Sequence, residues 1–156
     1  MIMSTFSVSR SSVIPAPAAE IYALVVSFRE WLKWSPWEGI DPSMQRSYSG
    51  PVAGVGASYS WTGNGKAGAG TMEILEAVEP SKIHLRLEFT KPMKAVNPTT
   101  FTFEPVAEGT RVTWTMTGEN KGLSRVFMLF MNMDKLVGGD FEKGLAQLAD
   151  CVAQKS

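Results

Sequence analysis

The sequence predicts an α+β fold in which a curved antiparallel sheet wraps around a long C-terminal helix. Three observations carry that prediction. The run from Leu123 to Val152 has the longest helical periodicity, with Leu136, Val137, Phe141, Leu145, Leu148, Ala149 and Val152 recurring at three and four residues. Before it, apolar and polar residues alternate: Ile83, Leu85, Leu87 and Phe89 against His84, Arg86 and Glu88, then Val112, Trp114 and Met116 against Arg111, Thr113, Thr115 and Thr117. More than half of the 14 glycines fall between Gly39 and Gly70, where glycine marks bulges, turns and close backbone approach. The apolar stripe of the helix needs a broad surface, and the bent sheet supplies one.

Taken in order, Phe6 to Ile14 reads as a first strand that ends at Pro15. Pro17 suits a first helical turn and Glu20 suits the positive end of its dipole, so Ile21, Leu24, Val25 and Phe28 form a short amphipathic helix. A second short turn, Arg29 to Trp34, stops at Ser35-Pro36. Short strands fit Gln45–Ser49 and Ala57–Thr62, with a turn at Gly63-Asn64-Gly65. Four longer strands follow at Ala67–Val78, Lys82–Phe89, Thr99–Pro105 and Thr110–Glu119, and short joints rich in turn residues make successive strands antiparallel neighbours. A single domain spanning 1–156 is expected.

Composition excludes several function classes. Lys+Arg and Asp+Glu are equal at 15 each with no basic run, which argues against nucleic acid or an anionic membrane surface as partner. No segment offers the roughly 20 apolar residues of a membrane span, and Met1 to Ser12 lacks the apolar core of a signal peptide. The lone Cys151 fits a reducing compartment, so a cytoplasmic location is expected. One His and one Cys exclude Cys/His metal sites and a Cys/His nucleophile pair. No metal or cofactor is implied. The Gly-x-Gly pairs lack the ending and spacing of phosphate-binding loops, and sheet curvature accounts for them.

His84 shares the polar face with Arg86 and Glu88 and is a poor general base. Two carboxylates remain as weak catalytic candidates. Glu73 is solvated if Met72 and Ile74 face inward, and enters the cavity if Thr71 and Leu75 do. Asp134 falls within the apolar stripe of one continuous helix, where an unpaired charge would cost about 2–7 kcal/mol or more. A helix break near Met131–Asp134, with Asp134 capping a second helix, relieves that cost; the alternative is a polar contact inside the pocket. The apolar inventory is richer. Nine methionines, with Met116, Met128, Met131 and Met133 in or against the C-terminal run, suit irregular space that adapts to a ligand. Trp31, Trp34 and Trp37 either close one end of the core or, through Trp34, line a pocket mouth.

The segments Ile14-Pro-Ala-Pro-Ala-Ala-Glu20, Trp31-Leu-Lys-Trp34-Ser-Pro-Trp37 and Gly56-Ala-Ser-Tyr59-Ser-Trp61 resemble the polyketide cyclase/dehydrase-like branch of the START (SRPBCC) superfamily. Gly68-Ala-Gly70-Thr-Met-Glu73, Gly109-Thr-Arg-Val-Thr-Trp114, and Met133-Asp134-Lys135 with Gly139-Asp-Phe141 continue the likeness in order. The resemblance implies a helix-grip fold, with seven antiparallel strands, two small helices between strands one and two, and an apolar small molecule held between sheet and helix. The expected lining is Trp34, Trp61, Met72, Phe89, Trp114, Met116, Met131 and Phe141. A small hydrophobic or aromatic ligand, lipid- or polyketide-like, is the expected partner, and a carrier or sensor role is favoured. The alternatives are a cyclase, dehydrase or hydrolase using Glu73 or Asp134, and a protein-interaction module. Oligomeric state is left open.

Overall fold

The computed structural model describes residues 4–37, 43–63, 68–91, 94–120 and 133–155, with side chains for these except 4–6, 119–120, 133–136 and 155. Its strands are β1 (Ser4–Ile14), β2 (Gln45–Ser49), β3 (Ser58–Thr62), β4 (Ala69–Val78), β5 (Lys82–Lys91), β6 (Ala95–Val106) and β7 (Gly109–Asn120). They form one seven-stranded antiparallel sheet in the order β1-β7-β6-β5-β4-β3-β2. Helix α1 (Ala18–Val25) and a 3-10 helix (Phe28–Lys33) lie between β1 and β2, and α2 (Met133–Lys155) closes the chain. This is the expected α+β helix-grip arrangement.

Alternation decides which face is which. Ile83, Leu85, Leu87, Phe101, Phe103, Val112, Trp114 and Met116 are buried on the concave face. The outer face carries the Arg86–Glu73, Lys82–Glu76 and Arg111–Glu104 ion pairs. Phe141, Leu145, Leu148 and Val152 of α2 are buried in the same core as the concave face, at the spacing the sequence shows. Arg10 of β1 donates from Nε to Glu142 of α2 at 2.7 Å and ties the edge strand to the helix.

Helix α1 ends on carbonyls that its own turns cannot satisfy. Trp34 Nε1 donates to the Leu24 carbonyl and Trp31 Nε1 to the Val25 carbonyl, each at 2.8 Å, while Gly54 N reaches the Val26 carbonyl at 3.1 Å. The tryptophans of the 3-10 segment therefore close the helix before them as well as filling the core. Gln147 of α2 donates to the Trp34 carbonyl at 2.7 Å and fixes this segment to the long helix.

Strand β6 starts at Ala95, four residues before the expected Thr99, and so runs through Pro98. Proline has no N–H for a ladder, which is why Asn97-Pro98 reads as a turn. Continuing the β6–β7 register by one residue beyond Thr99↔Met116 sets Pro98 opposite Thr117. There the Asn97 side chain supplies a donor, Nδ2 to the Thr117 carbonyl at 3.1 Å. A side-chain amide stands in for the missing backbone one.

Candidate ligand-binding site

At the centre of the concave face is the Trp114 indole. Phe141 of α2 stacks on it at 4.1 Å and 11°, and Phe101 of β6 at 4.8 Å and 29°. Trp31, Trp34 and Trp37 meet it near perpendicular at centroid distances of 6.1, 5.7 and 5.5 Å. Residues three apart in a 3-10 turn lie on one side, which brings Trp31 and Trp34 to the same ring. Gly144 of α2 admits this packing, because a Cβ there would sit 2.8 Å from Trp114 Cζ3 and 2.9 Å from Pro36 Cδ.

Beside this cluster is an apolar recess lined by Trp31, Trp37, Met72, Leu85, Leu87, Thr99, Trp114, Met116 and Phe141. Its cavity volume is about 10 Å³. That gives room for about one water. Two of its walls are methionines, whose flexible side chains adapt their packing to an occupant. Thr99 brings little polarity, since its hydroxyl donates to the Asn97 carbonyl at 3.1 Å.

Of the residues expected to line a cavity, Met72, Trp114, Met116 and Phe141 meet at this recess. Trp34 does not: it is 1% exposed and lies behind the recess, its N–H spent on α1. Its neighbours Trp31 and Trp37 line the recess instead. Trp61 and Phe89 pair edge to face at 5.8 Å elsewhere on the sheet, where Trp61 also stacks on Tyr59. Gly70 makes room for that indole, since a Cβ would lie 2.6 Å from Trp61 Cη2. Met131 lies outside the described residues. Sequence reasoning missed Trp31, Trp37, Leu85, Leu87 and Thr99 as lining residues; the shared parity of Leu85, Leu87 and Thr99 with Met116 across β5–β7 was the available signal.

The polar candidates separate clearly. Met72 and Ile74 are buried on the concave face, so Glu73 points outward and accepts from Arg86 Nη2 at 3.0 Å. The catalytic candidate Glu73 is therefore turned away from the recess. His84 is on the outer face, with Nδ1 3.0 Å from the Thr100 hydroxyl. Asp134 is on α2 beside the undescribed residues 121–132, and its side chain lies outside the described residues. Among the described residues, no three His, Cys, Asp or Glu side chains are grouped to hold a metal. Trp37 Nε1 donates to Asp140 at 3.2 Å, and the N–H groups of Trp31 and Trp34 are paired as described. Trp114 Nε1, in contrast, is buried with no acceptor among the described residues.

The family model described as polyketide cyclase / dehydrase and lipid transport matches residues 5–153, from β1 to the last turns of α2. The chain belongs to that family. Solved structures agree in fold with this family member. A crystal structure from Thermus thermophilus superposes with a TM-score of 0.69 at 21% identity, covering 97% of this chain and 99% of that one. A Staphylococcus aureus protein of unknown function reaches a TM-score of 0.72 at 9% identity, covering 98% and 96%. A Rhizobium leguminosarum protein gives 0.69 at 15% identity with 99% of each chain covered. No curated protein matches the sequence. Among the described residues, no helix of this family member is long and apolar enough to cross a membrane.

Proposed function

We propose that this protein is a cytoplasmic carrier or sensor that binds one small hydrophobic or aromatic molecule between the concave face and α2. The observation that carries the reading is the recess itself: Trp31, Trp37, Met72, Leu85, Leu87, Trp114, Met116 and Phe141 surround it with apolar surface. Membership of a family described by polyketide cyclisation and lipid transport supports an apolar ligand. As it stands the recess has room for about one water, so a ligand enters by displacing the Met72 and Met116 side chains, and each methylene it then buries contributes about 0.8 kcal/mol before association costs.

Binding is favoured over catalysis because the described carboxylates nearest this region are already paired. Glu73 faces outward against Arg86, and Asp140 accepts from Trp37. Native mass spectrometry of the purified protein tests the reading. A co-purified or added apolar molecule should appear as a one-to-one adduct that organic extraction removes. A bare mass that stays bare with a range of apolar probes in excess would overturn it.

A further inference from the structure

We infer that the Trp37 indole is the door of the recess and that the Asp140 carboxylate is its latch. This deepens the binding reading above, on which it rests, by saying how a ligand reaches the site. Of the described residues that line the recess, Trp37 alone is half-buried, and the other eight are each 7% exposed or less. The one wall that meets solvent appreciably is therefore this ring.

The way Trp37 is held separates it from its neighbours. Trp31 and Trp34 donate to backbone carbonyls of α1, at 2.8 Å each, and those carbonyls move only with the helix. Trp37 Nε1 donates instead to a side chain, Asp140 of α2, at 3.2 Å. Asp140 is half-buried, so rotation about its own bonds frees the indole while water takes over the hydrogen bonds of both partners. The Trp37 backbone stays in place during such a swing, because its N–H donates to the Ser35 hydroxyl at 3.3 Å. The ring meets Trp114 and Phe141 edge to face, at 5.5 and 6.4 Å, and neither stacks on it. Other walls lack this freedom. Leu85, Leu87, Thr99 and Trp114 are on β5, β6 and β7, each bonded to a strand on both sides, and Phe141 is stacked on Trp114. Met72 and Met116 make room inside, and Trp37 lets the ligand in. A latch closed in both the empty and the filled protein sets the rates of entry and exit and leaves affinity nearly unchanged, because only a differential interaction shifts an equilibrium.

The test is stopped-flow mixing with 9-fluorenone, followed by quenching of tryptophan fluorescence. It compares wild-type protein with Asp140→Ala, which removes the latch, and Trp37→Phe, which keeps a ring and loses the N–H. Each variant should raise the association and dissociation rates together by roughly fivefold, as loss of one hydrogen bond allows, with Kd within about twofold of wild type. Glu104→Gln, which breaks the Arg111 pair on the outer face, should leave both rates as they are. Asp140→Ala changes one half-buried helix position and decides the matter even if Trp37→Phe folds poorly. Unchanged rates in Asp140→Ala, or a weaker Kd with the association rate unaltered, overturns the door assignment and leaves the binding reading standing. Failure of fluorenone to bind wild-type protein overturns both.

Discussion

Trp114 of β7 and Phe141 of α2 stack at 4.1 Å and 11°, and this contact is the main aromatic link between sheet and helix. Both rings also border the recess, so the grip on the helix and the shape of the site depend on the same pair. Phe141→Ala should destabilise the protein by about 3–5 kcal/mol through lost burial and the cavity left behind. Urea unfolding checks this. Phe141→Leu should lose clearly less because it fills most of that cavity, and a similar loss for both would mean that the stacked ring itself, rather than buried volume, is what matters.

Two glycines of α2 should respond with opposite signs. A Cβ at Gly144 would press on Trp114 and Pro36, both rigid rings, whereas one at Gly139 has nothing within 4 Å. Alanine is better than glycine in a helix by about 1 kcal/mol, so Gly139→Ala should stabilise by up to that amount. Gly144→Ala should destabilise, because overpacking costs about 1–3 kcal/mol and exceeds the helical gain. Thermal melts of the two variants make the comparison.

Removing the stand-in donor at the β6–β7 junction should expose its role. Asn97 is 6% exposed and donates to the Thr117 carbonyl. Asn97→Ala leaves that acceptor next to a proline with no N–H, and a loss of about 1–3 kcal/mol is expected. Hydrogen exchange should show faster opening of neighbouring β7 amides than of β4 amides.

Glu73→Gln should leave ligand affinity unchanged and stability within about 1 kcal/mol. The Arg86 pair it breaks is exposed on the outer face, at 38% and 44% for the two side chains, and solvent screens such pairs. A large loss of binding or of any turnover would return Glu73 to the site and contradict its outward direction.

Burial, and then the charge of Glu79, hold the Tyr22 phenol above its ordinary value of 10.0. The folded state thus keeps a proton that the unfolded chain releases first. Its contribution to stability is complete below the unfolded value and declines as pH rises through and above it. Tyr22→Phe should therefore lose less stability than wild type between neutral pH and about pH 11, measured by urea unfolding at each pH.

Much of the sheet was legible because strands with one wet face must alternate, and Ile83, Leu85 and Leu87 do so without interruption. The direction of Glu73 was not. A bulge between Ile74 and Glu76 makes Leu75 an extra residue, so parity read back from Ala77 puts Glu73 inward while the structure puts it outward. The tryptophan cluster was legible as core, but Trp31 and Trp37 rather than Trp34 border the recess. Ring orientation in this segment follows the 3-10 turn and the α1 carbonyls that Trp31 and Trp34 satisfy, neither of which periodicity encodes. The expected helix break near Met131–Asp134 falls at the edge of residues 121–132, which lie outside the described residues. The first part of the C-terminal run, from Leu123 to Met131, lies outside the described residues.

The central claim is that an apolar molecule occupies the space between Met72, Met116 and Trp114. Methyl-labelled methionine spectra test it most directly, with Met72→Leu and Met116→Leu assigning the two resonances among the nine methionines. On saturation with fluorenone, the Met72 and Met116 methyl groups should shift and show through-space contacts to the probe's ring protons. Binding that leaves both methyl groups unmoved, or no binding at all, would contradict the account.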